Sequence, residues 1–186
     1  MIMSTIQTKQ WTRKEYQQMA EAGLFRPNER VELIHGEIFT MSPQNSRHAV
    51  AIGNTEAALQ RAFGPEHWVR VQMPLALSSD SEPEPDLAVV PGPRNTYLTD
   101  HPVTALLIVE ISDTTLHFDQ NEKLSLYAQG QISEYWIVNV ANHTLEVYRN
   151  PQGSSYEEHH TLSPTQSINP PHTPNHSILV GDLLPL

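Results

Sequence analysis

No cysteine occurs in the 186 residues, which excludes disulfides, thiolate metal sites and cysteine nucleophiles together. No apolar run is long enough to span a bilayer as a helix. The first residues, "MIMSTIQTKQW", lack the charged and then apolar regions of a secretory leader, so a soluble cytoplasmic protein is expected. Basic residues are also scarce, with 11 Lys and Arg against 21 Asp and Glu and a net charge of -10. That balance argues against a protein that grips nucleic acid through a broad basic face. It argues less against an enzyme in which a divalent cation supplies the local positive charge.

The remaining composition, 38% hydrophobic and 17% charged, is globular. The length suits one substantial core and is short for two, so one domain over residues 1–186 is expected. "WTRKEYQQMAEAG" carries a capping box, Thr12 with Glu15, and Gly23 as a stop. "RVELIHGEIFTM" reads as a hairpin turning at His35-Gly36. "SRHAVAIGNTEAALQRAF" has helical spacing, with Val50, Ala51, Asn54, Ala57, Ala58, Arg61 and Ala62 on one stripe and Ser46 as its cap. "HWVRVQMPLAL" reads as a strand, followed by the polar loop "SSDSEPEP". "DLAVVP" and "ALLIVEIS" are apolar enough to be central strands covered on both faces. "TTLHFDQNEKLSLYAQG" returns to helical spacing, with Leu116, Leu124 and Tyr127 inward.

"SEYWIVNVANHTLEVYRN" reads as a hairpin whose aromatics Tyr135, Trp136 and Tyr148 fit core packing, and "SSYEEHHTL" as an added edge strand. Residues 163–176 are loop by composition, and "ILVGDLLPL" docks back on the core. The histidine pairs His159-His160 and His172/His176 read as solvated loop residues. The whole is an α/β or α+β domain with helices packed on a mixed sheet.

The chemistry gathers around one anomaly. "TALLIVEIS" places Glu110 in a strand that should be dry, and an unpartnered buried carboxylate costs at least ~2 kcal/mol. Alternation puts Leu106, Ile108, Glu110 and Ser112 on one face. Asp86 opens the preceding apolar strand, so if the two strands are neighbours the carboxylates meet. Two such acids repel unless one holds its proton or a cation joins them, and Mg²⁺ suits one or two carboxylates completed by water and phosphate oxygens. The alternative is a turn-capping Asp86 and a Glu110 paired with a lysine or arginine. In the next helix Asp119 and Lys123 stand at i and i+4, with Tyr127 a turn on. Alone they would be an ordinary surface pair worth about 0.3–0.5 kcal/mol, but Lys123 is placed to reach back to the strand end.

The ordered series Glu32, Gly36, Pro85-Asp86, Glu110, Ser112, Asp119, Lys123, Tyr127 and Tyr135-Trp136 resembles the Uma-two family of restriction-endonuclease-like proteins. That family is a branch of the PD-(D/E)xK nuclease superfamily, and the resemblance runs from about Trp11 to the C-terminus. It implies a restriction-endonuclease-like fold, a central mixed sheet flanked by helices, and a metal-dependent endodeoxyribonuclease. Asp86 and Glu110 would hold Mg²⁺, or Mn²⁺ in its place, with Glu32 as an auxiliary acid and DNA as substrate. The superfamily lysine two residues after Glu110 is replaced by Ser112, and Lys123 looks like its migrated substitute. His48 matches a histidine of the family's second helix and could touch a phosphate or water, although a lone helix histidine is also commonly a packed or surface residue. A homodimer would supply two sites for two strands. The competing expectation is a nuclease fold that has lost catalysis and serves as a binding or assembly module. A Ser-His-Asp hydrolase finds no nucleophile elbow.

Overall fold

The computed structural model describes residues 8–41, 43–173 and 175–185. Residues 1–7, on which the expectation about a leader bears, lie outside it, as does Pro174 between His172 and His176.

Helix α1 (Arg13–Glu21) begins as its capping box dictates: Thr12 Oγ1 accepts from the Glu15 amide at 3.2 Å, and Glu15 accepts from the Thr12 amide at 2.9 Å. β1 (Val31–Ile34) and β2 (Glu37–Thr40) pair antiparallel about His35-Gly36. Both turn residues have positive φ, 48° and 76°, which is the backbone twist that two-residue hairpins favour. A Cβ on Gly36 would also meet Gln10 Oε1 at 2.6 Å. All four residues of β1 are buried. Val31 and Leu33 pack with Tyr16 of α1, which leaves Glu32 buried on the other side.

A six-stranded mixed sheet forms the centre. Its order is β3 (His67–Val71), β4 (Leu87–Pro91), β5 (Leu107–Ser112), β6 (Glu134–Asn139), β7 (Thr144–Gln152), β8 (Ser155–Leu162). Only β5 and β6 are parallel. The helical crossover between them comprises α3 (Leu116–Phe118), a π-helical segment (Asp119–Lys123) and α4 (Leu124–Gln129). Alternation along β5 sends Leu107, Val109 and Ile111 to the face covered by α2 (Ser46–Phe63) and the C-terminal segment. Ile108 faces the other way, against Tyr127, Tyr135 and Ile137. Both faces are dry, as the apolar runs require, and Tyr135, Trp136 and Tyr148 are all buried.

Several boundaries differ from the sequence expectation. Asn45, not Ser46, caps α2, its side chain accepting from the His48 amide at 3.0 Å. The buried face of α2 is Ala51, Ile52, Thr55, Ala58, Leu59, Ala62 and Phe63, while Val50 is 49% exposed. Alanines on both sides of this helix blur its stripe, and the larger side chains Ile52, Leu59 and Phe63 decide it. β3 stops at Val71 because Gln72 takes a φ of 49°. Leu106 precedes β5 and packs with the α2 face, opposite to Ile108. His159 and His160 lie on strand β8, where His159 stacks on Tyr148 at 4.3 Å between centroids, and are not loop residues. Within 163–176, Ser167–Ile168 (β9) pairs with Ile178–Leu179 (β10). Among the described residues no helix is long and apolar enough to cross a membrane.

Candidate active site

The antiparallel register pairs Leu87 with Val109, so the next residues outward, Asp86 and Glu110, meet at one end of the sheet. The Asp86 amide donates to Glu110 Oε2 at 3.0 Å. The Asp86 carboxylate is held from three sides: Ile111 N–H donates to Oδ2 at 2.9 Å, Gln72 Nε2 to Oδ1 at 3.0 Å, and His48 Nε2 lies 2.9 Å from Oδ2. Burial pushes Asp86 up, yet His48 and these donors outweigh it and hold the carboxyl below its ordinary range. Burial likewise lowers His48, but its bond to Asp86 and the surrounding acids leave it above the usual histidine value. Aspartate ionised and histidine protonated is the pairing these shifts favour.

Glu110 answers the anomaly in the sequence. It is 5% exposed, and burial pushes its carboxyl up to about 8. Its Oε1 accepts from the Tyr127 hydroxyl at 2.6 Å, and Lys123 Nζ stands 3.3 Å from the same oxygen. Lys123 also donates to Glu32 Oε2 at 2.5 Å. A lysine 4% exposed would lose its proton if it were alone; Glu110 and Glu32 overcome burial and keep it charged. The surface-pair alternative for Asp119 and Lys123 therefore fails, since both are buried. Burial pushes Asp119 up to about 6, moderated by the Thr115 hydroxyl at 2.7 Å, by Lys123 and by Ser112. Asp119 and Lys123 sit on a π-helical segment, a turn that is rare in helices and frequent at functional sites.

The eight residues singled out from the sequence thus occupy one neighbourhood. Asp86, Glu110, Lys123 and Glu32 form its centre, His48 contacts Asp86, Tyr127 contacts Glu110, and Ser112 stands beside Asp119. Around them opens a pocket of about 250 Å³ lined by the carboxylates of Glu32, Glu84, Asp86, Glu110, Asp113 and Asp119. Gln72, which grips Asp86, was not legible: its role follows from a left-handed turn that no local pattern demands. Glu84 is also held here, 3.4 Å from Arg30. The donor set is hard oxygen, with neither thiol nor a second imidazole. Among the described residues no three His, Asp or Glu side chains form a ready-made metal cage. Two carboxylates beside an open pocket fit Mg²⁺, which keeps most of its own waters.

A model of a protein family described as "Putative restriction endonuclease", Uma2, matches residues 13–180. The chain belongs to the Uma2 family. No curated protein matches it in sequence. Among solved structures it is similar to a protein of Anabaena variabilis described as a putative nuclease. The two share 15% identity over 88% of this chain and 94% of that one, with a TM-score of 0.70. Identity that low speaks for the fold alone, and the fold is the expected one: a central mixed sheet flanked by helices, shared with a protein described as a nuclease. Family membership and fold both agree with the resemblance read from the Glu32, Asp86, Glu110 and Lys123 series.

Proposed function

We propose that this Uma2-family chain is a Mg²⁺-dependent endonuclease that hydrolyses DNA phosphodiester bonds in the Asp86–Glu110–Lys123 pocket. The observation that carries the reading is Lys123, which sits 3.3 Å from Glu110 although the nearby strand position is Ser112. A lysine from the crossover helix fills the place that the strand leaves vacant.

Asp86 and Glu110 would hold the cation, which supplies a Lewis acid for the phosphate and lowers the pKa of a bound water. Lys123, held charged by two carboxylates, cannot serve as a base. It places a fixed positive charge where the phosphoryl oxygens gain negative charge, the kind of preorganised stabilisation that is worth most in a dry site. Glu32 orients that ammonium. His48, bonded to Asp86 and with a raised proton affinity, is the proton donor assigned to a departing oxygen.

A second reading is a nuclease fold that binds without cutting. It is favoured by the chain's charge of -10 and by an Asp86 already engaged by His48, Gln72 and Ile111. Nicking of supercoiled plasmid separates the two. The wild-type protein should relax the plasmid with Mg²⁺ or Mn²⁺ and not in EDTA, and Asp86→Asn should be inert. Full nicking by the Asp86→Asn protein would overturn the catalytic reading.

A further inference from the structure

At the other end of β3 a basic and aromatic group stands apart from the acidic pocket. The half-buried ring of Trp68 carries two guanidinium groups, Arg70 with its Cζ 4.6 Å from the centroid and Arg94 at 5.9 Å. The Tyr97 ring lies 6.1 Å away. Arg70 is 3% exposed and forms no ion pair among the described residues. Its Nη2 donates to Pro74 O at 2.9 Å and lies 3.4 Å from His101 Nδ1, while its Nε is buried with no hydrogen-bond partner. Arg94 is exposed and, among the described residues, is also without an ion pair. In a chain with 21 acids to 11 bases, two arginines lacking carboxylate partners on one indole leave a local excess of positive charge.

Beside this ring opens a cavity of about 550 Å³, bounded by Gln60, His67, Trp68, Pro93, Arg94 and Asn95, with no acidic residue in its lining. Its size falls in the range of small-ligand sites. Each wall suits one part of a nucleotide. Trp68 lies in the lining as an aromatic surface for a base, the Gln60 and Asn95 side chains bring amides for base edges, and the exposed Arg94, without a carboxylate partner among the described residues, brings a cation for phosphate. The cavity also lies on a track to the carboxylates. Gln72, whose amide touches Asp86, is four residues from Trp68, a span of about 13 Å along an edge strand.

We propose that this cavity is a nucleotide subsite that takes one unstacked nucleotide of a single DNA strand. Its base lies on Trp68 and its phosphate on Arg94, and the scissile phosphate of the same strand lies at the Asp86–Glu110–Lys123 centre. The inference rests on the endonuclease reading for the last part only. Bases stacked inside a duplex cannot reach the indole, so single strands are preferred over duplex.

Fluorescence anisotropy of a fluorescein-labelled thymidine 12-mer, in EDTA so that no hydrolysis occurs, tests the subsite separately from catalysis. The wild-type protein should bind the single strand more tightly than a duplex of equal length. Arg94→Ala, an exposed substitution, and Trp68→Leu should each weaken binding about 5- to 100-fold, the range that base–aromatic stacking spans. Arg94→Ala should also reduce the salt slope by about 1. Wild-type affinity in both the Arg94→Ala and Trp68→Leu proteins, with unchanged melting temperatures, would overturn the subsite, as would absence of single-strand binding by the wild type. Binding that depends on Arg94 in a protein that never nicks plasmid supports the subsite and removes the catalytic reading instead.

Discussion

Lys123 and Glu32 are 91 residues apart in the chain and share a buried hydrogen bond of 2.5 Å. One comes from the π-helical segment of the crossover, the other from the β1–β2 hairpin. With Glu110 at 3.3 Å from the same ammonium, the bond ties the hairpin, the crossover helix and the central sheet together at the pocket.

Removing this ammonium leaves the buried Glu32 without its cation and takes the nearest positive charge from Glu110. Lys123→Met is expected to destabilise the fold by about 3–5 kcal/mol, the cost of breaking a buried ion pair from one side. At about 2–4 °C per kcal/mol for a chain of this size, the melting temperature should fall by about 6–20 °C. Adding Glu32→Gln should recover part of that loss, because the stranded charge goes with it. Nicking should drop by at least ~100-fold in both proteins. Calorimetry and the plasmid assay measure the two effects independently.

Glu110 gives the metal-free protein a pH dependence of predictable sign. Its carboxyl, held up to about 8 in the folded state against an ordinary 4.5, favours the fold fully below about 4.5. That contribution is lost as pH rises through about 8. Asp119, raised to about 6, acts in the same direction, whereas Asp86, held low, contributes stability that is lost on acidification. A Glu110→Gln protein stays neutral at this position. Its melting temperature relative to wild type should therefore rise between pH 5 and pH 8 in EDTA. A constant difference across that range would contradict the raised Glu110.

Cation binding must compete with the same proton. Mg²⁺ should raise the melting temperature, by an amount equivalent to about 2.7 kcal/mol at a hundred times the dissociation constant. The rise should be larger at pH 8.5 than at pH 6.5, where Glu110 still holds its proton. Asp86→Asn should abolish it. Isothermal titration at the two pH values, in buffers of different ionisation enthalpy, counts the proton released.

Moving the lysine back to the strand tests the claim of migration. In a Lys123→Met background, Ser112→Lys returns an ammonium to the strand position two residues after Glu110. Partial recovery of plasmid nicking is expected, at a cost in stability because Ser112 is 1% exposed. A soluble, folded double variant with no more activity than Lys123→Met alone would argue that the crossover position itself is required.

Much of this arrangement was legible in local pattern. The capping box at Thr12, the His35-Gly36 turn and the apolar runs of β4 and β5 are each set by short-range sterics and hydrophobic period, and each formed as expected. The stripe of α2 was less legible, since small residues on both sides give burial little to choose between until Ile52, Leu59 and Phe63 meet the sheet. β9 lay hidden in a segment rich in proline and polar residues, because a two-residue strand draws its identity from its partner, here β10, and not from sequence.

The site divides in the same way. By itself the sequence determined that a carboxylate stands at the end of a dry strand and that no lysine follows it at the usual spacing. Those facts are written in residue type and alternation. Only the tertiary structure decided who meets Glu110. The antiparallel register of β4 and β5 brought Asp86 across, the crossover helix carried Lys123 and Tyr127 over the strand end, and the hairpin supplied Glu32. A buried charge is tolerable only where such distant partners converge, and convergence belongs to packing, which no local pattern encodes.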